Sequence, residues 1–576
     1  MPASRTLPIP AEHREFTVKV GGAAVPREHQ LLAASVGKTA NRVAWARLCY
    51  LDGSAAAGDF PLSGADLFAP GRVVEVLAGA GGAVSSLFKG VVVRHALRVR
   101  DRGTAQLVVE CRHAAMRLTV ERRSATYFEQ TDGEIIADLL SAAQLLGDVG
   151  PTKPEHPQMV QFRATDWDFL LARARANGML VLPKDDKLVV KGIAPGGPPV
   201  CELRFGATVL EIDAEIDARL QFPETVGRTW DPARQEVVEV TGAPPTFKAP
   251  GNLASSALAA VAGAEARNLV HVALGEPEAQ AWADAAGQYA RLNQVGGRCK
   301  CEGIGTVNPG DVVTLAGVGA RFNGNVLVTG VRHEFDTAAG WKTHVQFGGV
   351  DGPDRDVDAP AGGLVPGPQG LQIGVVVGND DPDREHRVRV RLPMIDEEDD
   401  GVWMRVAAVD AGSDRGLFIR PEVGDEVVVG FLEGDARGGV ILGMLHSSAK
   451  AAPLQGSDDN HEKLFKTRSG MRLYFHDQKK IARLETPAGN SLTLTEADKS
   501  VVLADQNGNT ITLSPDGVQV KSAKAFALKA ATEASLEAGT SFAARGGTDL
   551  KLEGGTTAEL SGGATTKVVG GLVQIN

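Results

Sequence analysis

The sequence predicts a mainly β chain of several small domains that ends in an intertwined trimeric β-prism, a form of β-helix. Three observations predict this fold. An eight-residue repeat runs through the last sixty residues, a nineteen-residue repeat precedes it, and short alternating strands separated by glycine turns fill the upstream part. With 68 glycines among 576 residues and only 5% aromatic residues, the chain suits many turns and small cores.

Residues 1–350 predict a hub of two β-barrels with helical insertions. Short strands such as 43–51 are separated by turn residues, as in barrels and sandwiches. A capping box at Thr131 predicts a helix whose apolar spacing extends to Leu146, and a second helix is expected from Thr165. Residues 200–350 repeat this plan of strands around a helix, which indicates a second barrel.

Residues 351–370 are rich in proline and glycine and predict a linker, and residues 371–450 predict a small OB-type barrel of five strands. OB barrels often bind nucleic acid through a basic groove with stacking aromatic residues. This segment has nine Arg/Lys and sixteen Asp/Glu, a net charge of 9 − 16 = −7. The whole chain carries −11, so a trimer would carry 3 × −11 = −33, which disfavours nucleic acid and anionic membranes as static partners.

Residues 451–516 form a neck in which glycine turns recur every nineteen residues, each followed by alternating apolar residues. The turns end at Gly470, Gly489 and Gly508. Because nineteen is odd and strand side chains alternate with a period of two, each unit must contain two strands and their turns.

Residues 517–576 carry the eight-residue repeat, here called the octads. Two phases are apolar in nearly every octad, and a glycine marks the corner phase in the later ones. An even repeat keeps the same strand face inward in every layer. The predicted core of the prism consists of the residues on the two apolar phases: Val518, Val520, Phe526, Leu528, Leu536, Phe542, Leu550, Leu552, Leu560 and Val568.

The octads also predict the number of chains. A triangular coil needs about three octads for each turn, so seven octads in one chain would give little more than two turns. Three chains sharing each layer give seven layers and leave few free strand edges. We therefore expect a homotrimer; a single-chain left-handed β-helix is the alternative. The last layer is expected to offer Leu572, Val573 and Ile575 to a tip-capping partner, because an exposed apolar end favours a contact.

The sequence predicts no catalytic residues, no cofactor and no metal site. Cys299 and Cys301 are the only close cysteine pair and lack a second pair at zinc spacing, so we expect structural strand cysteines on opposite faces. His333 and Glu334 begin like a zinc-protease helix, but Thr337 stands where the second histidine would be. The N-terminus lacks the apolar region of a signal peptide, and we expect synthesis as a soluble cytoplasmic protein.

Several motifs resemble those of one family in their sequence and order. In the barrel they lie at 374–376, 387–390, 403–406, Gly412, 420–427 (RPEVGDEV) and 434–435. In the hub they lie at 88–90, 132–140 and 164–170 (ATDWDFL). With the C-terminal repeats, they are similar to the spike proteins of contractile injection systems: the VgrG family of type VI secretion and its relatives in extracellular injection particles and contractile phage tails.

The resemblance implies a structural trimer that caps an inner tube at the base plate and punctures a target envelope when a sheath contracts. Its implied partners are the inner-tube protein, base-plate proteins and a PAAR-type protein at the tip, within a particle that is released or injected. Family members often have a proline after the Gly-Asp of the barrel, where this chain has Ala436, a change that affects one turn. The alternatives are a spike-borne envelope hydrolase with its catalytic residues in the N-terminal domain and, more distantly, an adhesive tail-fibre module.

Overall fold

The computed structural model describes residues 14–80, 83–101, 104–194, 197–350 and 360–575. The chain forms two compact units, Met1–His446 and Ser447–Asn576. The predictions on residues 1–13, on 351–359 of the linker and on Asn576 lie outside the described residues. In the described ranges, no helix combines the length and the apolar character needed to cross a bilayer.

The N-terminal core of the first unit is built by strands whose alternate residues point inward. In the strand Trp45–Leu51, Ala46, Leu48 and Tyr50 are buried while their neighbours are more exposed. Together with Phe68 and neighbouring strands they form one apolar cluster. The strands are β1 (Arg14–Val20), β2 (Ala23–Ala24), β3 (Leu31–Thr39), β4 (Trp45–Leu51), β5 (Val73–Ala80), β6 (Ala83–Arg98) and β7 (Gln106–Arg112), with the short helix α1 (Pro61–Gly64) after β4.

A first helical insertion follows, and it forms its own apolar core. It consists of β8 (Arg122–Thr131), α2 (Asp132–Ala142), β9 (Leu146–Val149), β10 (Glu155–Thr165), α3 (Asp166–Ala176), β11 (Met179–Lys184) and β12 (Lys187–Gly192). The capping box at Thr131 is confirmed, as is the helix start at Thr165. The helical extension to Leu146 is wrong, because the chain leaves the helix after Ala142 and Leu146 opens a strand that pairs with β12.

The second half of the hub contains the remaining long helix. Its elements are β13 (Cys201–Arg204), β14 (Val209–Ile216), β15 (Thr225–Asp231), β16 (Glu236–Thr241), α4 (Ser255–Ala262), β17 (Arg267–Val270), α5 (Glu276–Leu292), β18 (Val295–Glu302), β19 (Val312–Ala316), β20 (Gly324–Asp336) and β21 (Gly340–Phe347). The predicted two all-β hub cores are present as separate apolar clusters. They share one thirteen-stranded sheet, because the long strand β20 pairs with β19 at one end and with β3 at the other.

Two sequence readings in this half are settled by strand geometry. Cys299 and Cys301 both lie in β18 and are both buried, so they point to the same face and not to opposite faces as expected. The physical reason is that residues two apart in a strand share a face. His333 lies inside β20, where it is buried beside Thr343, so the zinc-protease helix that its neighbourhood suggested does not form.

Five strands close into the predicted OB-type barrel. The barrel strands are β22 (Gln372–Gly378), β23 (Val388–Arg391), β24 (Val402–Val406), β27 (Glu426–Phe431) and β28 (Gly439–Met444). A small exposed hairpin, β25 (Ala411–Gly412) and β26 (Arg415–Gly416), lies between β24 and β27 in the chain. The barrel core, including Val388, Val390 and Val427, also packs against Val160 and Phe162 of β10. The described part of the linker is packed as well, with Ala361 and Val365 buried in the core of the first insertion.

The second unit begins with seven consecutive antiparallel strands, here called the meander. They are β29 (Glu462–Lys466), β30 (Arg472–His476), β31 (Ile481–Glu485), β32 (Ser491–Thr495), β33 (Ser500–Ala504), β34 (Thr510–Ser514) and β35 (Gly517–Lys521). Each nineteen-residue unit holds two strands, as the odd repeat length predicts. The rest of the unit, residues 523–575, is extended and interrupted by short bends.

Candidate assembly surface on the stalk

One face of the meander carries two columns of apolar side chains, and we call it the stalk face. The backbone register aligns the columns across the strands, so that Leu484 lies opposite Leu473 on one side and Leu492 on the other. The first column is Phe465, Leu473, Leu484, Leu492, Leu503, Ile511 and Val520; the second is Phe475, Ala482, Leu494, Val501, Leu513 and Val518. The opposite face is mostly polar, so this sheet is amphipathic.

The stalk face has no cover within the described part of the chain. Leu473, Leu484 and Leu503 are each 40% to 56% exposed. Soluble monomers rarely leave a continuous apolar surface of this length open, and such surfaces mark contacts with other molecules. The stalk face is therefore a candidate assembly surface.

The octads continue this pattern without forming strands in the single chain. A two-residue bend recurs every eight residues, at 523, 531, 539, 547, 555, 563 and 571, so the structure keeps the period that the sequence shows. The later bends begin at the glycines of the corner phase, such as Gly547 and Gly555. We number the octad positions from the first bend residue, which puts the predicted core residues at positions four and six.

Every predicted core residue of the prism is exposed in one chain. The exposed fraction reaches 80% for Leu552 and 75% for Leu560, and it is 67% for Phe526. Val518 and Val520 differ from the rest, because they lie in β35 and are paired with Leu513 and Ile511 of β34. The others lie in the octads: Phe526, Leu528, Leu536, Phe542, Leu550, Leu552, Leu560 and Val568.

The octad backbone is also unpaired. Across residues 523–575, all of which are described, no backbone N–H donates to a backbone carbonyl of the described chain. Main-chain groups require partners when apolar side chains beside them become buried, because an unmet backbone hydrogen bond in a dry core is costly. The partners must therefore come from other strands.

Close backbone approach explains the second glycine at the later corners. A side chain at Gly554 would place its Cβ 2.1 Å from the carbonyl oxygen of Thr557, whereas one at Gly555 would meet nothing within 4 Å. At the same position of the first octad boundary, Ser522 donates a hydrogen bond from Oγ to the carbonyl of Ala525, at 2.9 Å. The chain thus folds back toward the third following residue at the corners of Ser522, Gly546, Gly554 and Gly562.

The residues predicted to contact a tip protein are exposed. Leu572 and Ile575 are more than three-quarters exposed, and Val573 is about half exposed. Leu572 lies in the last bend, at 571–572, and the other two residues follow it. Nothing in this chain covers them in the described structure.

Sequence reasoning missed a buried ionic network in the first unit. Arg173 of α3 donates from Nε to Asp132 Oδ1 at 2.6 Å and from Nη2 to Glu278 Oε1 at 2.9 Å. Arg437, in the loop before β28, donates to Glu278 Oε2 at 2.8 Å and to Asp435 Oδ2 at 2.7 Å. All five side chains are at least nine-tenths buried. The network joins the hub helices α2, α3 and α5 to the barrel.

The electrostatics of this network favour charged carboxylates. Burial by itself favours the neutral form of Asp132, but the positive charge of Arg173 and the hydrogen bonds from His156 and Arg173 together outweigh it and lower the pKa of Asp132. Burial likewise opposes the ionisation of Glu278, and Arg437 and Arg173 lower its pKa. Arg173 Nη1 also donates to the backbone carbonyl of Leu364, at 3.0 Å, which fixes the end of the linker to the same cluster. This arrangement is a structural clamp, and it offers no open position for a substrate.

No metal site was found in the described ranges, where no three His, Cys, Asp or Glu residues are grouped to hold an ion. The exposed assembly surface on the stalk is thus the feature of the structure that most directly indicates a function.

The chain matches two known families along most of its length. Residues 10–337 match the family described as Alg8 N-terminal domain, and residues 372–446 match the one described as Type VI secretion system/phage-baseplate injector OB domain. The first match covers more than half of the chain.

Two curated relatives come from Vibrio cholerae. The type VI secretion system spike protein VgrG3 is 33% identical over 149 residues, which are 25% of this chain and 13% of the relative. The actin cross-linking toxin VgrG1 is 30% identical over 114 residues, which are 19% of this chain and 10% of that protein. The chain therefore matches only a small part of the length of each relative.

A solved structure, the lidless form of a PdpA–VgrG complex, has a similar architecture. The TM-score is 0.53 at 8% identity, over 88% of this chain and 98% of that chain. At so low an identity, the likeness establishes the mainly β fold alone.

Proposed function

The chain belongs to the family of the Alg8 N-terminal domain and is related in sequence to type VI secretion spike proteins, and we propose that it forms the trimeric spike of a contractile injection system. In this proposal the hub, residues 1–350, caps an inner tube. The barrel, residues 371–450, sits at the base plate. The neck, residues 451–516, and the octads, residues 517–576, form the needle.

The observation that carries the proposal is the unsatisfied state of the octads in one chain. Their apolar positions are exposed and their backbone is unpaired, yet their eight-residue period is regular. Three copies around an axis supply both the missing apolar cover and the missing strand partners. The same three-fold symmetry places the stalk faces of the three copies against one another.

The proposed prism suits a puncturing role for a mechanical reason. Each chain runs along the needle, and its strands are held by hydrogen bonds to the other two chains, so no chain can peel away alone. Each complete layer buries about six apolar side chains, at about 1.5 kcal/mol each at the low end. Such an assembly unfolds slowly, and this kinetic stability is what a needle under axial load requires.

The proposed partners follow from the relation to type VI secretion spike proteins and from the exposed last octad. The hub contacts the inner-tube protein and base-plate proteins, and Leu572, Val573 and Ile575 contact a PAAR-type tip protein. We further propose assembly in the cytoplasm and departure with the particle when it is released or fired. The target membrane is then a transient contact.

The hydrolase alternative gains no support from the buried network or from the strand position of His333. The toxin activity named for one relative belongs to that protein, of which this chain matches 10%. We propose a mechanical role without catalysis for the described chain. A peptidoglycan digestion assay on the purified protein should therefore show no turnover.

Native mass in solution tests the proposal directly. Light scattering at micromolar concentration should give three times the chain mass of 60.3 kDa. Truncation after Lys521 gives a matched chain without octads, and its trimer should dissociate at a higher protein concentration than the full trimer does. A stable, folded full-length monomer would contradict both the needle and its puncturing role.

A further inference from the structure

The outward positions of the octads carry charges that alternate along the chain. At position seven, successive octads have Lys529, Glu537, Arg545 and Glu553. Each of the first three is followed eight positions later by one of opposite sign. The alternation stops where Ser561 and Val569 take the position.

Position five shows the same alternation toward the tip. Lys551, Glu559 and Lys567 again change sign at every octad. From Lys529 onward, no two like charges occupy successive octads in either column; Lys521, which has the same sign as Lys529, lies in β35 and is paired with Thr510 of β34.

The structure places these two positions on one face. Lys551 and Glu553, at positions five and seven of the same octad, form an ion pair across a single intervening residue. Both side chains are more than two-thirds exposed. Since neighbouring strand residues point to opposite faces, the apolar positions four and six lie on the other side.

Three-fold symmetry decides which octads become neighbours in a prism. Equivalent octads of the three chains lie at the same height on three different faces. The next strand on a given face therefore belongs to another chain, and it is one octad further along. Because the apolar columns fix the register, position seven stacks on position seven and position five on position five.

This stacking turns the alternation within a chain into attraction between chains. Lys529 meets Glu537 of a second copy, Glu537 meets Arg545, and Arg545 meets Glu553; Glu559 lies between Lys551 and Lys567 of its neighbours. Opposite charges on directly paired strand positions stabilise a sheet, and like charges destabilise it.

Other ways of stacking the octads do not bring the alternating charges opposite one another. In a single-chain coil with three octads per turn, each residue meets the one twenty-four positions later, and Lys529 with Glu553 is the only pair of opposite charges that forms in these columns. In a stack of identical strands, every charge meets its own kind. The alternation is thus specific to three intertwined chains offset by one octad.

We propose that these two outward columns form an interchain ion-pair ladder that selects which octads of neighbouring chains stack on one another in the needle. The proposal rests on the trimer proposed above, and it adds the identity of the facing residues. The partner surface is the same pair of columns on a second copy of this chain. The apolar core supplies most of the stability, and the ladder selects the one-octad offset.

A charge reversal with a compensated partner tests the ladder in the full-length protein. Glu559→Lys places three positive residues in one column and turns six contacts per trimer from attraction to repulsion. We expect denaturant-induced unfolding of the trimer to become about tenfold faster or more. The triple variant Lys551→Glu, Glu559→Lys, Lys567→Glu restores alternation with the signs exchanged, and it should recover most of the original rate.

Glu533→Lys is the matched control, since it makes the same change in charge at position three, where Ala525 and Ser541 are the neighbours. It should leave the unfolding rate nearly unchanged. In 1 M salt the effect of Glu559→Lys should shrink, because screening then acts within about 3 Å.

The outcomes separate the ladder from the trimer. If the wild-type protein is monomeric, both the proposed trimer and the proposed ladder are wrong. A wild-type trimer in which Glu559→Lys unfolds at the original rate, or in which the triple variant is as weak as the single one, overturns the ladder and leaves the trimer standing.

Discussion

The two halves of the stalk carry the same apolar pattern and differ in where their backbone finds its partners. In the meander, Leu492 and Leu494 share one face of a strand whose hydrogen bonds are made within the chain. In the octads, Leu550 and Leu552 share one face of a segment with no backbone partner in the described chain. Side-chain patterning alone therefore does not decide whether a chain completes its own sheet.

The turns explain the difference. In the meander, the glycines at 470, 489 and 508 adopt φ of +88°, +96° and +88° and reverse the chain, so that each strand returns beside the last. Among the described residues beyond Lys521, no residue has a positive φ. The octad corners bend the chain without reversing it, and in the proposed trimer another copy takes the next strand position on each face.

Leu552→Asp should break the octad half most severely. In the trimer it places three carboxylates in one dry layer, and each uncompensated buried charge costs about 3–5 kcal/mol. Trimer mass should be lost or restricted to high protein concentration, as measured by light scattering. The equivalent meander change, Leu494→Asp, should weaken association less, because the strand keeps its hydrogen bonds within the chain. Equal effects of the two changes would contradict the contrast drawn here.

Arg437→Ala should damage the first unit and spare the stalk. The change leaves Glu278 and Asp435 buried with one fewer cation, a loss of about 3–5 kcal/mol in the free energy of unfolding. Thermal unfolding of a chain truncated after His446 measures this loss. Arg415→Ala removes an exposed ion pair with Asp410 and serves as the control, with little change expected. Full-length Arg437→Ala protein should still form trimers.

Gly554→Ala and Gly555→Ala sharpen the account of the octad corner. The first change meets the carbonyl of Thr557, and the second enters open space. We expect Gly554→Ala to cost about 1–3 kcal/mol per chain, as an overpacked site does, and Gly555→Ala to be near neutral. Thermal midpoints of the two trimers give the comparison. A reversed order would show that the corner is built differently.

Acid should weaken the hub through His333. Burial, with smaller effects from Lys38 and His344, lowers the pKa of His333 to about 3, and Trp341 donates to its Nδ1, at 3.4 Å. The neutral ring is the form that fits, so stability is full above the ordinary pKa of about 6.5 and falls as the pH drops toward 3. At pH 5 the loss is about 2 kcal/mol. His333→Asn should flatten this part of the pH profile of hub unfolding, and an unchanged slope would contradict it.

Local features of the fold could be predicted from the sequence, and distant pairings could not. The box at Thr131, the glycine turns of the neck and the five barrel strands depend on residues close together, and the structure confirms them. The pairing of β3 with β20 joins residues about 300 positions apart and has no local signal.

The octad repeat could likewise be predicted from the sequence, whereas the buried ionic network could not. The octad period is visible in the sequence because each unit repeats its neighbour. Asp132, Glu278 and Arg437 occur singly in three distant elements, where each reads as an ordinary surface charge. Only folding brings them together, so no pattern in the sequence could have identified the clamp.

Hydrogen exchange resolved along the stalk tests the central claim most directly. If other copies complete the octad sheet, amides between 526 and 568 in the native protein should be protected as strongly as those of the meander between 472 and 513. Free exchange across the octads beside a protected meander, in folded protein at the same concentration, would contradict the intertwined prism.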